Sequence, residues 1–600
     1  MIDHSQTIQQ RVSALRAAMS RHQFDAWIIP SADPHLSEYL PDFWQGRKWT
    51  SGFTGSVGTL VVTQDFAGVW VDGRYWEQAE AQLAGTGVRL MKLLSGQAQP
   101  HVDWLADNLQ DGAKAGADGA VFSLASARAT DAALAAAGVK LETGSDLLNE
   151  IWQDRPALPQ APIYEHVAPY ASVSRKEKLA QVRAAMQKST ADWHFVSTLD
   201  DLAWIFNLRG ADVQYNPVFL AHALIGHDAA TLFIDEAKVS AELRQTLAAD
   251  GVIIAPYNAA TTALAALPAN VSVLIDPART TLGLINAIPA NVRLIEKLNP
   301  SQLFKSRKTT EETAHIRHAM EQDGAALCEF FCWLDGALNR EHVTELTIDE
   351  RITAARAKRP GFVSPSFGTI AGFNQNGALP HYHATAEAHS VISGNGLLLI
   401  DSGGQYVGGT TDITRVVPVG QITADHRRDF TIVLKGVIAL SAARFPLQIR
   451  AAMLDSIARA PMWAEGIDYN HGTGHGVGYF LNVHEGPQSI GYFREAGPDT
   501  AMLQGMITSI EPGVYRPGRW GIRIENLVIN QPAETTEFGD FLQFETLTLC
   551  PIDTRCIDRA LLTQTEADWL NAYHTTVRER LLPYVEGDAK AWLQARTEAI

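Results

Sequence analysis

A chain of 600 residues, 46% hydrophobic and 19% charged, is too long for one hydrophobic core, so the composition predicts several domains. The formal net charge of -17 disfavours nucleic acid and anionic membranes as partners, because both are negatively charged themselves. Four cysteines are too few for a disulfide scaffold and indicate a reducing compartment.

The N-terminal segment carries Asp3, His4 and Gln6 where a secretory signal needs an unbroken apolar core. No apolar run in the sequence approaches the roughly 20 residues that a membrane-spanning helix requires. We therefore expect a cytoplasmic protein.

Short apolar strands alternate with amphipathic helices in the first half of the chain, with helices expected at Ile8 to Ser20 and Arg175 to Gln187. Two parts of this half are alike. Strands expected at Thr59 to Thr63 and at Val218 to Ile225 each follow a similar segment and precede another apolar strand that ends in aspartate. The pattern predicts an internal duplication with a period of roughly 160 residues.

Two boundaries divide the chain. Three prolines between Gln153 and Pro162 interrupt regular structure, and Asn299 and Pro300 precede a helix-start signal at Thr309 to Glu312. We predict a first α/β domain at residues 1–158, a related α/β domain at 159–305 and a larger third domain at 306–600.

Apolar or alternating runs in the third domain predict strands at Gly396 to Ile400, Gly505 to Ile510 and Ile522 to Ile529. A carboxylate at an apolar strand position needs a compensating partner. Each of these runs is followed or interrupted by an acidic residue, namely Asp401, Glu511 and Glu525.

A fourth acid, Asp412, lies eleven residues after Asp401 across four glycines, a spacing suited to a hairpin that returns it beside Asp401. Taken singly, an aspartate at a strand end is more often a turn or cap residue. Two carboxylates about 4 Å apart would repel each other by about 4 kcal/mol at an effective dielectric near 20. If all four acids converge, two divalent cations would balance their charge.

The glycine-rich segment 471–478 offers a histidine to complete such a site. His471 and His475 have the spacing of a helical metal-binding pair, but the alternating glycines disfavour a helix there. Oxygen-rich ligation with one nitrogen favours Mn²⁺, with Zn²⁺, Co²⁺ or Fe²⁺ as alternatives.

Four ordered motifs carry a family resemblance: DSGGQYVGGTTDITR at 401–415, HGTGHGVGYFLNVHEGP at 471–487, IEPGVY at 510–515 and GIRIEN at 521–526. The chain resembles the three-domain Xaa-Pro aminopeptidases, also called aminopeptidase P, within the pita-bread metallopeptidases. The resemblance extends to the N-terminal half, in segments 51–58, 71–75 and 204–210. It implies two creatinase-like α/β domains followed by a pita-bread catalytic domain.

The resemblance also implies a dinuclear metal site. Its bridging ligands would be Asp412 and Glu525, while Asp401 would bind one ion and both His475 and Glu511 the other.

Further residues would surround the metals without binding them. The resemblance implies His484 at the developing oxyanion, and His381 and His471 in substrate binding and proton handling. His381 is preferred over its neighbour His383. Two more residues, Tyr515 and Arg523, would support the ligands.

The implied reaction releases the N-terminal residue from peptides with proline at the second position, by attack of a metal-bridging hydroxide on the Xaa-Pro bond. Collapse of the intermediate needs a proton on the proline nitrogen, a role for Glu511 assisted by histidine.

Two other functions fit parts of this pattern. A prolidase cleaves Xaa-Pro dipeptides with the same five ligands but usually has one N-terminal domain. A noncatalytic pita-bread module would bind proteins or nucleic acid after losing its ligands, and all five are present here.

Long members of the family commonly form homodimers through the catalytic domain, so a homodimer is expected. The stretch from Thr563 to Ile600 predicts amphipathic helices with aromatic residues such as Trp569, Tyr573 and Trp592. These aromatic side chains would form either part of the intramolecular core or part of the dimer interface.

Overall fold

The computed structural model describes residues 4–94, 99–494 and 496–600, so Met1 to Asp3 lie outside the described residues. The chain forms two compact units, one of residues 1–167 and 173–301 and the other of residues 168–172 and 302–600. None of the described helices has the length and apolar character that crossing a membrane requires.

The first part of the N-terminal unit is a six-stranded sheet with helices on both faces. Side chains of one strand alternate between these faces, so Trp27 and Ile29 pack beneath one helical layer and Ile28 beneath the other. Its helices and strands are α1 (His4–Arg21), β1 (Ala26–Pro30), α2 (Gly46–Ser51), β2 (Thr59–Thr63), β3 (Ala67–Val71), α3 (Trp76–Leu83), β4 (Arg89–Lys92), α4 (Pro100–Asn108), β5 (Lys114–Ala117), α5 (Leu124–Ala136), β6 (Lys140–Glu142) and α6 (Leu147–Ile151).

A second six-stranded sheet follows. Its helices and strands, together with a small two-stranded pair, are β7 (Tyr164–Glu165), α7 (Arg175–Lys188), β8 (Trp193–Val196), α8 (Leu199–Ile205), β9 (Leu208–Arg209), β10 (Ala221–Gly226), β11 (Ala230–Ile234), α9 (Ala241–Ala249), β12 (Val252–Ala255), α10 (Ala259–Ala265), β13 (Ser272–Ile275), α11 (Leu282–Ile285), β14 (Arg293–Glu296) and α12 (Pro300–Ser306).

The two sheets have the same topology, which confirms the predicted duplication. Their strand orders are β4-β3-β2-β1-β5-β6 and β12-β11-β10-β8-β13-β14. Antiparallel and parallel pairings also agree position by position, as in the antiparallel pairs β1·β2 and β8·β10 and the parallel pairs β1·β5 and β8·β13.

The strand predicted at Val218 to Ile225 begins later, at Ala221. The amide of Leu220 donates to Asp212 Oδ2 at 2.7 Å, and the amide of Val218 donates to the carbonyl of Asn216 at 2.8 Å. These amides are therefore engaged within the preceding loop, so the sheet ladder starts only after them.

The C-terminal unit begins with a long helix at the predicted position. Thr309 caps it, and a capping box joins Thr309 to Glu312. Its helices and strands are α13 (Thr310–Ala337), α14 (Glu345–Ala357), β15 (Phe362–Pro365), β16 (Ile370–Phe373), β17 (Gly396–Ser402), β18 (Gly404–Tyr406), β19 (Gly409–Thr410), β20 (Ile413–Val419), α15 (Ala424–Ser441), β21 (Arg444–Pro446), α16 (Asp455–Trp463), β22 (Gly474–Gly476), β23 (Glu485–Ile490), β24 (Ile507–Ile510), β25 (Gly513–Arg516), β26 (Trp520–Arg523), β27 (Asn526–Thr536), β28 (Gly539–Thr546), α17 (Gln564–Leu581) and α18 (Gly587–Arg596).

Several sheets form this unit. The largest has the order β21-β28-β27-β24-β22-β23, and the sheet β16-β17-β20 and the hairpin β25-β26 accompany it. The core between the sheets and helices is apolar, so polar side chains that point inward stand out.

The C-terminal helices α17 and α18 pack on this core. Tyr573 is 7% exposed, and Trp569 and Trp592 are partly buried against the same cluster. The structure thus confirms the intramolecular alternative for these aromatic side chains.

Candidate metal centre

The hairpin predicted between Asp401 and Asp412 is confirmed. Strands β17 and β20 pair in antiparallel register, with Asp401 opposite Thr414. Asp412 immediately precedes β20, so it lies close to the end of β17 that carries Asp401. Both aspartates are buried, at 8% and 4% exposure.

The strand predicted through Ile522 to Ile529 is wrong, because the chain leaves one sheet and enters another at Ile524 and Glu525. Strand β26 pairs with β25, whereas β27 pairs with β24 and β28. The amide of Glu525 donates to the carbonyl of Thr414 at 3.2 Å. This break fixes Glu525 beside the Asp401–Asp412 hairpin.

Glu511 and His475 come from neighbouring strands of the largest sheet. Glu511 directly follows β24, and His475 is the central residue of β22, which pairs with β24. The predicted absence of a helix in the glycine-rich segment is confirmed. Ser509 ties the two residues together, since its hydroxyl accepts from the His475 amide at 3.0 Å and donates to Glu511 Oε1 at 3.2 Å.

The functional side chains meet at one point. One ligand atom each from Asp412, His475 and Glu525 lies within 4.8 Å of the others. His475 Nε2 is 3.5 Å from Asp412 Oδ2 and 3.5 Å from Glu511 Oε1. Asp401 adjoins the group closely enough that the charges of Asp412 and Glu511 act on its titration. The fold thus brings all five predicted ligands together.

The electrostatics of this group show a surplus of negative charge. Burial raises the pKa of Asp401 to about 7, and neighbouring Asp412 adds to the shift against the opposing effect of Arg523. Burial also raises the pKa of Glu511, and burial with the charge of Asp412 raises that of Glu525 well above its usual range.

His475 responds in the opposite sense. Burial lowers the pKa of the imidazole, but the hydrogen bond with Asp412 and the charge of Glu511 outweigh that effect and raise it to about 9. All of these pKa values are raised because, when no cation balances the carboxylates, bound protons reduce the negative charge of the site.

The residues present fit a pair of divalent cations. Asp401 Oδ1 is buried and accepts no hydrogen bond from the described residues. The Nδ1 of His475 lies 2.9 Å from the Gly476 carbonyl, so it donates there, and Nε2, which faces the acids, would bind a metal ion once it loses its proton. Four carboxylates with one such imidazole form an oxygen-rich donor set for two divalent ions.

A hydrogen-bonded chain runs from Asp401 outward to His471. Arg523 is buried and donates to Asp401 Oδ2 at 2.6 Å and to the Tyr515 hydroxyl at 2.7 Å. The hydroxyl lies 2.8 Å from His471 Nε2, and His471 Nδ1 lies 2.8 Å from the Gly472 carbonyl. Tyr515 therefore accepts from Arg523 and donates to His471. Burial raises the pKa of Tyr515 to about 12, which keeps it protonated.

The other two predicted histidines are placed as follows. The rings of His484 and His475 are perpendicular with centroids 4.3 Å apart, so His484 adjoins the ligand group. His381 is half-buried in the segment after a short 3-10 helix at Asn374–Ala378, whereas its alternative His383 is exposed.

Thr414 and Ser509 are parts of the site that the sequence patterns did not reveal. Thr414 Oγ1 accepts from Arg523 Nε at 3.1 Å and donates to Glu525 Oε2 at 2.8 Å. Both residues lie inside or beside the motifs at 401–415 and 510–515, but a serine or threonine in a strand does not by itself predict a role in a metal site. Only the pairing of the strands shows that these two side chains orient the ligands.

The glycines around His475 allow close backbone contact. A Cβ atom at Gly474 would lie 1.9 Å from the Ser509 carbonyl oxygen, and one at Gly476 would lie 2.2 Å from that of Glu485. A side chain at either position would push β22 away from its neighbours.

We therefore expect the Gly474→Ala variant to lose on the order of 100-fold in kcat/KM, because the methyl group would displace His475 from the acids. Metal affinity measured by calorimetry should fall in parallel. Gly497→Ala is the matched control, since Gly497 has an ordinary φ of -67° and open space around its Cβ position. Equal behaviour of the two variants would contradict the packing argument.

Comparison with known proteins identifies the family of each part of the chain. Residues 314–531 match the model of metallopeptidase family M24, and residues 540–600 match the C-terminal region of M24 peptidases. Residues 11–151 and 154–312 each match the creatinase/prolidase N-terminal domain. The fold and site therefore define a metallopeptidase of family M24 with two creatinase-type N-terminal domains and a pita-bread C-terminal domain.

Full-length relatives narrow the family further. A probable Xaa-Pro aminopeptidase P of Sordaria macrospora is 39% identical, with 98% of each chain covered. Aminopeptidase P2 of Arabidopsis thaliana is 37% identical over 99% of this chain and 89% of its own. The chain belongs to the Xaa-Pro aminopeptidase P family.

A solved structure supports the same assignment. The X-prolyl aminopeptidase of Caenorhabditis elegans, described as a cytosolic enzyme with a di-nuclear active site, has a TM-score of 0.94 and 32% identity. The match covers 99% of this chain and 100% of that one.

Proposed function

We propose that this protein is a dinuclear metal-dependent aminopeptidase that releases the N-terminal residue from peptides with proline at the second position. The observation that carries the proposal is the convergence of Asp412, His475 and Glu525 within 4.8 Å, in a chain similar to Xaa-Pro aminopeptidases over its whole length.

The five residues would hold two divalent ions, most favourably Mn²⁺. Asp401 would bind one ion, His475 and Glu511 would bind the other, and Asp412 and Glu525 would contribute to both. When bound, the two ions supply Lewis-acid chemistry that activates a water molecule and polarises the scissile carbonyl.

The surrounding side chains manage charge and protons. His484, next to His475, is positioned to donate a hydrogen bond to the developing oxyanion. Tyr515 fixes the imidazole of His471 through a 2.8 Å hydrogen bond, and Arg523 in turn fixes Tyr515. Together with half-buried His381, His471 binds substrate and moves protons near the leaving group.

Proline at the second position sets a particular demand. The nitrogen of an Xaa-Pro bond carries no hydrogen, so it offers no donor for recognition and must gain a proton before the bond breaks. Glu511 would deliver that proton after accepting it from the activated water molecule, and the Ser509 hydroxyl fixes its Oε1 at 3.2 Å.

The decisive assay compares Xaa-Pro-Yaa-Yaa tetrapeptides with Xaa-Pro dipeptides after the protein has been stripped of metal and reloaded with one ion at a time. We expect cleavage of the tetrapeptide after the first residue, restored best by Mn²⁺, and little turnover of the dipeptide. Preferential cleavage of the dipeptide would identify a prolidase. No turnover with Mn²⁺, Zn²⁺, Co²⁺ or Fe²⁺ would leave a noncatalytic binding module.

The protein is proposed to form a homodimer through an exposed aromatic surface. Trp463, Tyr492 and Phe493 are 44%, 53% and 40% exposed, and their rings adjoin one another with centroids 6.4 and 5.4 Å apart. An exposed apolar patch of this kind on the catalytic unit marks an interaction surface. A cytoplasmic location is proposed with it, by similarity to the cytosolic enzyme of Caenorhabditis elegans.

Sedimentation velocity tests the dimer. Trp463→Glu is expected to shift the protein from dimer to monomer, because a charge would be buried in the interface without a partner. Phe538→Glu is the control, since Phe538 is 84% exposed and lies at the β27–β28 turn. A dimer that survives the Trp463 change but not the Phe538 change would locate the interface elsewhere.

A further inference from the structure

Helix α16 contains a completely buried ion pair outside the metal ligand set. Arg459 Nε donates to Asp455 Oδ2 at 2.8 Å, and both side chains have no solvent exposure. Burying two charges costs desolvation energy that a well-packed apolar pair would not incur. Stability alone therefore does not explain the pair. The other hydrogen bonds of Asp455 and Arg459 show which parts of the chain the pair holds.

The guanidinium of Arg459 holds the chain just before the glycine-rich strand. Its two terminal nitrogens donate to Asp468 Oδ1 at 2.6 Å, to the Tyr469 carbonyl at 2.8 Å and to the His471 carbonyl at 2.6 Å. The face of the guanidinium also lies over the Tyr469 ring at 3.7 Å. The planar fork of arginine can reach these acceptors at once, which an ammonium group cannot do.

The carboxylate of Asp455 holds the other side of the same segment. Its Oδ1 accepts from the Thr473 hydroxyl, and its Oδ2 accepts from the Tyr492 amide at 2.7 Å. The carbonyl of Thr473 accepts from the amide of Glu511 at 2.8 Å. Asp455 thus reaches the backbone of Glu511 through a single residue.

One buried pair therefore fixes two functional groups in separate segments of the chain, one before β22 and one after β24. Arg459 fixes the backbone of His471, whose imidazole meets Tyr515, while Asp455 fixes Thr473 and through it Glu511. The ion pair sets the separation between the histidine and the glutamate that handle protons in the proposed reaction.

We propose that Asp455 and Arg459 are positioning residues that hold His471 and Glu511 in register with each other. The role rests on the proposed aminopeptidase function and deepens it. Neither residue is proposed to contact the substrate: Arg459 acts through the backbone carbonyl of His471, and Asp455 acts through the hydroxyl of Thr473.

The test uses the Mn²⁺-loaded full-length protein with Asp455→Asn, which keeps the shape of the side chain but removes the charge. We expect kcat on an Xaa-Pro-Yaa-Yaa peptide to fall about 10- to 100-fold with KM little changed, and the pH profile of kcat to shift. Mn²⁺ affinity measured by calorimetry should weaken, because Glu511 loses its fixed position. Arg459→Lys should recover part of the activity that Arg459→Met loses.

Asp335→Asn is the matched control. Asp335 is a carboxylate of the same unit that accepts from Arg555, Arg596 and Trp592, remote from His471 in sequence and hydrogen bonding. The Asp335→Asn change should lower the free energy of unfolding measured in urea without shifting the pH profile of kcat or the Mn²⁺ affinity.

A double-mutant cycle separates positioning from general destabilisation. If Arg459 acts through His471, the Arg459→Met change should cost much less activity in a His471→Ala background than in the wild-type protein. Additive losses together with unchanged Mn²⁺ affinity would overturn the proposal. Wild-type turnover tests the proposed function separately, and if the wild type proves inactive, the Mn²⁺ affinities of Asp455→Asn and Asp335→Asn still decide whether the pair positions Glu511.

Discussion

Replacement of Glu525 by glutamine is expected to abolish tight binding of divalent metal and to lower kcat/KM by roughly 10³-fold or more. Metal ions contribute several kcal/mol of transition-state stabilisation, and about 4 kcal/mol corresponds to a 10³-fold change in rate. Glutamine keeps the volume of the side chain but removes a charge that the cations need. The hydroxyl of Thr414 would still form a hydrogen bond with the side-chain amide of the glutamine, so the local fold should persist.

Glu534→Gln is a suitable control because Glu534 lies on strand β27, close in sequence to Glu525, but is exposed and pairs only with exposed Arg444 among the described residues. Metal content by mass spectrometry and turnover of an Xaa-Pro-Yaa-Yaa peptide would be measured on both variants. Full turnover by Glu525→Gln with two ions bound would exclude a bridging role for this residue.

Removal of the metals is expected to invert the dependence of stability on pH. In the metal-free protein the pKa values of Asp401, Glu511 and Glu525 lie above their ordinary values, and that of His475 is about 9. A folded state with raised pKa values binds more protons than the unfolded chain. Its stability is therefore greatest below the unfolded pKa values and is lost as pH rises through the folded ones.

The expected fall is on the order of a few kcal/mol between about pH 5 and pH 9, since each unit of pKa shift corresponds to 1.36 kcal/mol. Urea denaturation of chelator-treated protein across this range measures it. Addition of Mn²⁺ should restore stability most at high pH, because metal binding requires deprotonated ligands.

Asp401→Asn provides the internal comparison. The asparagine does not titrate, so the pH dependence of the stripped variant should be shallower than that of the stripped wild type, and Glu534→Gln should leave it unchanged. If stripped wild-type protein and Asp401→Asn follow parallel curves, the charge surplus at this site is not what destabilises the metal-free fold.

The residue pattern and the folded chain made different contributions to the site. Apolar runs ending in Asp401 and Glu511 were visible because buried carboxylates stand out against strand patterning. The hairpin that returns Asp412 was predictable from its glycines and spacing, and the helix start at Thr309 from its capping box. Each of these signals is local, so it depends on a few neighbouring residues.

Glu525 shows where local reasoning failed. The residues around it predict one continuous strand, because the alternation of apolar and polar residues does not change where the chain passes from one sheet to another. The same limit applies to the start of β10, which is delayed because a loop carboxylate, Asp212, takes the amide of Leu220.

By itself, the sequence determined the duplicated α/β half, the family and the identity of the candidate ligands, since these depend on periodicity and on ordered motifs. The tertiary structure alone decided how the ligands are held. Thr414 and Ser509 reach Glu525 and His475 across 111 and 34 residues. Asp455 and Arg459 reach Thr473 and His471 across 18 and 12 residues. The physical reason is that hydrogen bonds between strands are set by register and burial, which emerge only when the sheets pair and close around the site.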